Sequence, residues 1–573
     1  MKTGTKIIAA VLVLMLAAVT AYTVIYGGQK KDTGTADIPE VADPGSRDLA
    51  ADIILNGSTA EIKGSGASVS GSTVSVTKAG KYRITGTLDD GQIRVSTSDD
   101  KPVILVLNGV TVTNENDAAL FVENSHGLTV YLSEGTVNVF QSGQEVDISY
   151  AAPDSSASGG ALTFCDDAAI SGEGRLEVYG YINNGIHCSN DLLIDSGNIE
   201  VRAVNNGIKG KDSLTVTGGT VSVVSAGDGL KSDDEDAEDT GTVTVSGGNI
   251  TVSSLDEGIK ATTLIKLIGG ELKLDSKDDG INCDKDLLID GATVILNCAD
   301  DGLHADGDIT IESGNITVNS STEGIEGRNI TVNGGNISMK SSDDGFNCTT
   351  GEGSAFGWRP GNAYSTGDQP MLIFNGGTVY VDAQGDGLDS NGSIIVNGGL
   401  IIVDGPTGSG NGSLDSGTET GGTITVNGGT LLAVGSTGMA ETPDRSSGQY
   451  SFYYGAGFTS GTVIKILDSN NDVLLEHTAA KSGGSIIYSS PELELNGEYT
   501  LLVGNEAYDI IITDKVTSYG QGGGMMGGFG GGQGGLGGHG GDGGFGGGHG
   551  GLGGGPGGQQ PPGGFGGGPG SPE

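Results

Sequence analysis

The chain has 573 residues, of which 109 are glycine and 5% aromatic, and it carries a formal net charge of -44. That charge argues against nucleic acid and against anionic membrane surfaces as partners, and favours cation uptake or solubility outside the cell. The five cysteines, Cys165, Cys188, Cys283, Cys298 and Cys348, show no paired spacing of a zinc site or a dense disulfide framework.

Lys2 and Lys6 precede an uncharged apolar run over 7–26. The run is long for a cleaved signal and adequate for a membrane span, so residues 1–28 are expected to be a signal peptide or an N-terminal membrane anchor. Either one exports the remainder, which places the protein outside the cell or on its surface. Residues 29–50 are polar, contain Pro39 and Pro44, and read as a linker. From 51 to about 142 the chain is strand-rich but irregular, with runs such as Val103-Ile104-Leu105-Val106-Leu107. We expect the first coils of a repeat and their cap here, with Asn116-Asp117-Ala118-Ala119-Leu120 as a degenerate rung.

A short acidic phrase then recurs. It reads Asn183-Asn184-Gly185-Ile186-His187, Asn205-Asn206-Gly207-Ile208-Lys209 and Asp228-Gly229-Leu230-Lys231, and runs on to Asp386-Gly387-Leu388-Asp389. Subtracting successive glycine numbers (185, 207, 229, 258, 280, 302, 324, 345, 387) gives 22, 22, 29, 22, 22, 22, 21 and 42. A period in the low twenties signifies a solenoid. Between the phrases lie alternating β-branched runs with Gly-Gly or Gly-Asn turns, such as Val216-Thr217-Gly218-Gly219-Thr220-Val221. No repeat has room for a useful helix. The fold expected is therefore all-β: a right-handed parallel β-helix over 51–445 with three short strands per coil of about 22 residues.

Stacked coils turn the period into columns. The residue after each glycine is Ile, Leu or Phe and suits the core. Three residues beyond the glycine stand Cys188, Gly210, Ser232, Ala261, Cys283, Ala305, Gly327 and Cys348, all small, as a tight inner corner demands. The residue before each glycine forms a polar column: Asn184, Asn206, Asp228, Glu257, Asp279, Asp301, Glu323, Asp344 and Asp386. Carboxylates stacked roughly 4.8 Å apart repel, so the column needs solvent, raised pKa values or cations.

Two insertions interrupt the ladder. The acidic stretch 233–239 accounts for the gap of 29, and an excursion over about 349–369 accounts for the gap of 42, which is one coil rather than two. Insertions in solenoids map to loops and often to binding faces. The excursion holds Trp358, the sole tryptophan, with Phe356 and Tyr364. These three are the candidate sugar-stacking residues, against the blander reading that they anchor the loop. Coils continue to Gly438-Met439-Ala440, read as the last rung; residues 446–517 read as an antiparallel β cap, and 518–573 as a disordered glycine-rich tail.

Calcium is the cofactor the acidic columns suggest, because it takes several carboxylate oxygens. The candidate ligands are Asp228, Asp256, Asp278, Asp279, Asp300, Asp301, Asp343 and Asp344, with Asp284 and Asp306 recurring four residues after their glycines. The competing reading is a set of turns in which Asp and Asn side chains bond their own backbone. Lys209, Lys231 and Lys260 share a column two residues after the glycine. A lyase would need such a base, Lys231 or Lys260, beside calcium to remove a proton next to a uronate carboxylate. The commoner outcome is that the lysines offset nearby carboxylates. His187 and His304 in the same column read as exposed polar residues.

The ladder phrases, with Gly385-Asp386-Gly387-Leu388-Asp389-Ser390-Asn391-Gly392, the stretch 404–412 and Gly86-Thr87-Leu88-Asp89-Asp90-Gly91-Gln92-Ile93, resemble a bacterial carbohydrate-binding β-helix family first described from a cellulolytic clostridium. The resemblance implies a calcium-bearing parallel β-helix similar to pectate lyases that binds cellulose and acidic, pectin-like polysaccharide. The reading is thus an exported, non-catalytic, calcium-binding protein that binds polysaccharide. The alternatives are a calcium-dependent lyase acting by β-elimination, and a structural surface adhesin or spacer.

Overall fold

The computed structural model describes residues 48–149, 159–237, 239–349 and 369–520. They form a β-helix-like solenoid. Their helical content is one short 3-10 turn, Thr418–Thr420. A typical coil comprises strands Asn184–Cys188, Asp191–Ile194 and Asn198–Ala203, followed in the next coil by Ile208–Gly210, Ser213–Val216 and Thr220–Ser225. These pair in parallel, with Ile186 opposite Ile208, Leu192 opposite Leu214 and Ile199 opposite Val221. Each partner lies 22 residues on, so the sequence period is the coil. The alternation of β-branched and polar residues sends Ile199 and Val201 inward while Glu200 and Arg202 face out.

Every predicted core position is filled. Ile186, Ile208, Leu230, Ile259, Ile281, Leu303, Ile325, Phe346 and Leu388 are fully buried. The small-residue column behaves as expected, with Cys188, Ser232, Ala261, Cys283, Ala305 and Cys348 buried. Burial pushes the Cys188 and Cys283 thiols up to about 12, which makes them inert packing groups. Leu120 pairs with Leu162, and Leu162 with Ile186, so the degenerate rung does belong to the column. Phe346 pairs directly with Leu388, so the gap of 42 is a single coil.

Two kinds of glycine hold the coils. The second glycine of the Gly-Gly turn that leads into the third strand of a coil has positive φ, as at Gly219 (φ +84), where side chains are strained. The ladder glycine has ordinary φ but admits no Cβ: at Gly207 one would sit 2.1 Å from Val223 Cγ1 and 2.7 Å from the Gly229 carbonyl oxygen. Gly207→Ala is expected to cost ~1–3 kcal/mol by overpacking, read as a lowered denaturation midpoint. An unchanged midpoint would show that the coils have slack there.

At the N-terminal end the strands turn antiparallel, Ala51–Gly57 with Ala60–Gly64 and Ala67–Ser70 with Thr73–Val76. At the other end, Thr430–Gly435 accepts Gly483–Ser489 in antiparallel register, which closes the parallel stack. A four-stranded antiparallel sheet (Val463–Leu467, Val473–Thr478, Glu498–Val503 and Glu506–Ile511) packs its own apolar cluster around Leu432, Phe452, Ile466 and Leu501. The ladder column ends one rung earlier than expected. Its last strand is Leu414–Ser416; Gly438-Met439-Ala440 lies in no strand and Met439 is exposed. No helix among the described residues is long and apolar enough to cross a membrane; the apolar run 7–26 and the tail beyond 520 lie outside them.

Candidate functional site

At several rungs the residue before the ladder glycine is held by the next coil. Asn184 Oδ1 accepts the backbone N–H of Asn206 (3.2 Å), Asn206 Oδ1 that of Asp228 (3.1 Å), Asp279 Oδ1 that of Asp301 (2.9 Å) and Asp344 Oδ1 that of Asp386 (2.5 Å). At these four rungs the alternative of side chains bonding their own backbone is corrected: the bonds run between coils. The reason is the parallel stack, which leaves a backbone N–H one coil away facing each side-chain oxygen. Asparagines add amide-to-amide bonds, Asn205 Nδ2 to Asn183 Oδ1 at 2.7 Å and Asn206 Nδ2 to Asn184 Oδ1 at 3.0 Å. An ionised carboxylate cannot donate in this way.

Burial then acts on the acids. Burial first, and neighbouring acids after it, push Asp228 up to about 7, Asp279 to about 6, and Asp344 and Asp386 to about 7. Two residues after the glycine a second column changes character along the solenoid. In register it runs His187, Lys209, Lys231, Lys260, Asn282, His304, Glu326, Asn347, Asp389 and Asp415. Lys231 and Lys260 stand beside Asp228 and Glu257, whereas Glu326 and Asp389, further along, stand beside Glu323 and Asp386.

Three groups converge, each with donor atoms within 4.8 Å of one another. In the first, Asp228, Asp256 and Glu257 meet beside Lys231, whose Nζ lies 2.5 Å from Asp228 Oδ2, and Lys260, which pairs with Glu257. Asp228 Oδ1 and Glu257 Oε2 are buried with no protein donor among the described residues, a need that a proton, a cation or a water would meet. The second group is Asp278, Asp279 and Asp300. Asp279 is anchored by Asn282 Nδ2 (2.6 Å) and the Asp301 N–H. This all-oxygen group has no amine or imidazole among its members, and Asp300 faces solvent, so the donors suit a hard cation that keeps some of its water.

The third group is Asp301, His304 and Glu326. His304 Nδ1 lies 3.0 Å from Asp301 and 3.8 Å from Glu326, and Nε2 lies 3.3 Å from Asp306. The hydrogen bond to Asp301 outweighs burial and raises the imidazole to about 9. His304 is thus an imidazolium among carboxylates, not the exposed residue expected, because the next coil's Glu326 covers it. His187 also departs from expectation: burial and Lys209 hold it down at about 4.

Of the remaining expected ligands, Asp284 and Asp343 are exposed and join none of these groups, and Asp306 touches only His304 within the third. Asp344 sits instead near Asp386 and Asp389, the latter pushed up to about 8 by burial and by Asp344. Glu257 and Glu326 belong to the groups without being among the expected ligands. Their ladder positions are visible in the sequence, but as glutamates they fall outside the pattern of doubled aspartates. Lys231 and Lys260 are engaged with acids rather than free to act as bases. Trp358, Phe356 and Tyr364 lie outside the described residues.

Fold and site together define a β-solenoid with a buried acidic ladder and clustered carboxylates. Residues 70–324 match the family model described as carbohydrate-binding domain-containing protein. A carbohydrate-binding domain-containing protein of Acetivibrio thermocellus is 36% identical over 138 residues, which are 24% of this chain and 48% of that protein. The chain therefore spans about half the length of this curated relative. A solved structure, a polysaccharide lyase-like protein from C. thermocellum as its gadolinium derivative, is 31% identical, with a TM-score of 0.40 over 42% of this chain and 97% of that one. The family resemblance expected from the ladder is met by the family model and the curated relative.

Proposed function

We propose that this chain is an exported, non-catalytic β-helix of right-handed winding that binds calcium and polysaccharide, with acidic, pectin-like chains bound in a calcium-dependent way. The observation that carries the reading is the convergence of Asp278, Asp279 and Asp300 without a basic partner among them. A bound cation there would supply the positive charge that a chain of this acidity lacks toward a uronate polymer. The match of residues 70–324 to a carbohydrate-binding family supports polysaccharide as the partner. The pairing of Lys231 with Asp228 and of Lys260 with Glu257 weighs against the lyase alternative, since a general base must be free to take a proton.

The test uses polygalacturonate with calcium. The purified protein is expected to pull the polymer down, to release it on chelation, and to give a flat ultraviolet trace for unsaturated products. A steady, chelator-sensitive rise that disappears in Lys231→Ala or Lys260→Ala would make this a lyase. Loss of fold on chelation with no affinity for any glycan would favour the surface spacer.

A further inference from the structure

A separate cleft opens on the outer face of the early coils. It holds about 340 Å³ and is lined by Glu145, Val146, Asp147, Ile148, Tyr181 and Arg202. This is the small end of the range for ligand sites, the scale of a short stretch of sugar chain. Its chemistry comes from three observations.

Tyr181, in the cleft wall, stacks on Tyr179 with ring centroids 5.8 Å apart and planes at 23°, so Tyr179 backs the one aromatic ring that the cleft presents. Val146 in the cleft wall is 42% exposed, an apolar side chain left uncovered. Faces of this kind receive the C–H face of a sugar ring.

Arg202 lies opposite Tyr179 in register on the next coil. Arg83, Arg94, Arg175 and Arg445 each have a carboxylate partner. Among the described residues the Arg202 guanidinium makes no ion pair and no hydrogen bond. In a chain with 72 acidic and 28 basic residues, an arginine left unpaired beside an aromatic surface has all its donors to spare.

Glu145 and Asp147 supply the acceptors. One oxygen of Asp147 takes the Ser149 N–H at 3.0 Å, and the carboxylate keeps capacity for more. Two carboxylates against one guanidinium leave the cleft net negative. A uronate would meet repulsion there, whereas neutral hydroxyl groups can both donate to the carboxylates and accept from the arginine.

We propose that this cleft binds an uncharged hexose unit of a glycan chain, with the ring on Tyr181 and Val146 and the hydroxyls on Arg202, Glu145 and Asp147, without any metal. This rests on the polysaccharide-binding reading above but assigns neutral and acidic chains to different places: neutral chains here, acidic chains at the carboxylate ladder.

The test measures binding of the full chain to cellohexaose in chelator and to polygalacturonate in calcium, for wild type, Tyr181→Ala, Tyr181→Phe and Arg202→Gln. Both side chains lie on the outer surface, so the thermal midpoint serves as the folding control. Tyr181→Ala and Arg202→Gln are expected to weaken cellohexaose binding at least about tenfold, Tyr181→Phe far less, and none of them to change calcium-dependent polygalacturonate binding. Three results overturn the cleft: variants that bind cellohexaose like wild type, loss of cellohexaose binding on chelation, or a Tyr181→Ala defect confined to polygalacturonate. A wild-type chain that binds neither polymer overturns the polysaccharide reading itself.

Discussion

In calcium-free buffer the protein is expected to lose thermal stability as the pH rises from about 5 to about 8.5. The cause is the later part of the ladder. Burial first, then neighbouring carboxylates, push Asp344 and Asp386 to about 7 and Asp389 to about 8. Their folded-state values lie above the ordinary carboxyl range, so the folded chain holds protons that the unfolded chain has released. That contribution is complete below the unfolded values and disappears as pH climbs through the folded ones. His304, raised to about 9, acts in the same direction. His187, lowered to about 4, opposes it only below its ordinary value, and it is one group against several. A tenfold difference in proton affinity between the folded and unfolded chain corresponds to about 1.4 kcal/mol. The groups together therefore reach several kcal/mol, a midpoint change of about 5 °C or more. Calcium is expected to restore the midpoint at the alkaline end, because bound cation replaces lost protons as the counter-charge. A midpoint that is flat or rises with pH in chelator would show that the column is hydrated and its acids are ordinary.

The second large effect is expected for Asp404→Ala. Asp404 is 1% exposed and ends the strand Leu400–Asp404 of the solenoid. Its carboxylate accepts from Tyr380 Oη (2.9 Å), from His477 Nε2 (3.0 Å) and from the Ala480 N–H (3.2 Å). Tyr380 belongs to the coils, whereas His477 and Ala480 come from the C-terminal module, so one carboxylate joins the two. Removing it strands three donors at a buried junction, which costs ~3–5 kcal/mol for a buried charged hub. The C-terminal module is expected to melt before the coils, with early proteolytic cuts within 446–517. Asp404→Asn keeps one acceptor oxygen and should be milder. A single transition at the wild-type temperature in Asp404→Ala would mean that the apolar cluster alone holds the module; Lys481, 2.7 Å from Asp382, is the nearby pair that would then share the load.

Much of the site was legible as a list of residues but not as a set of partnerships. The acidic column could be written out from the sequence, yet its members behave differently. Asp228 carries Lys231 three residues on, Asp301 carries His304, and Asp386 carries Asp389. Those pairs could have been read from the repeat, and they decide which carboxylates are neutralised. The cleft of Tyr181 and Arg202 could not be read so easily, because Glu145 and Asp147 reach it from a connection outside the period.

The sequence by itself determined the period, the inward Ile and Leu column, the small inner corner and the counting of coils through both insertions. It could do so because each repeat obeys the same steric rule, so a residue's neighbours above and below are copies of itself one period away. The tertiary structure alone decided which oxygens converge, which bases are spent on them, where the stack ends, and that the polar column also bonds across coils. Those outcomes depend on distances between unlike residues on adjacent coils and on how deeply each is buried, and a repeat pattern carries neither quantity.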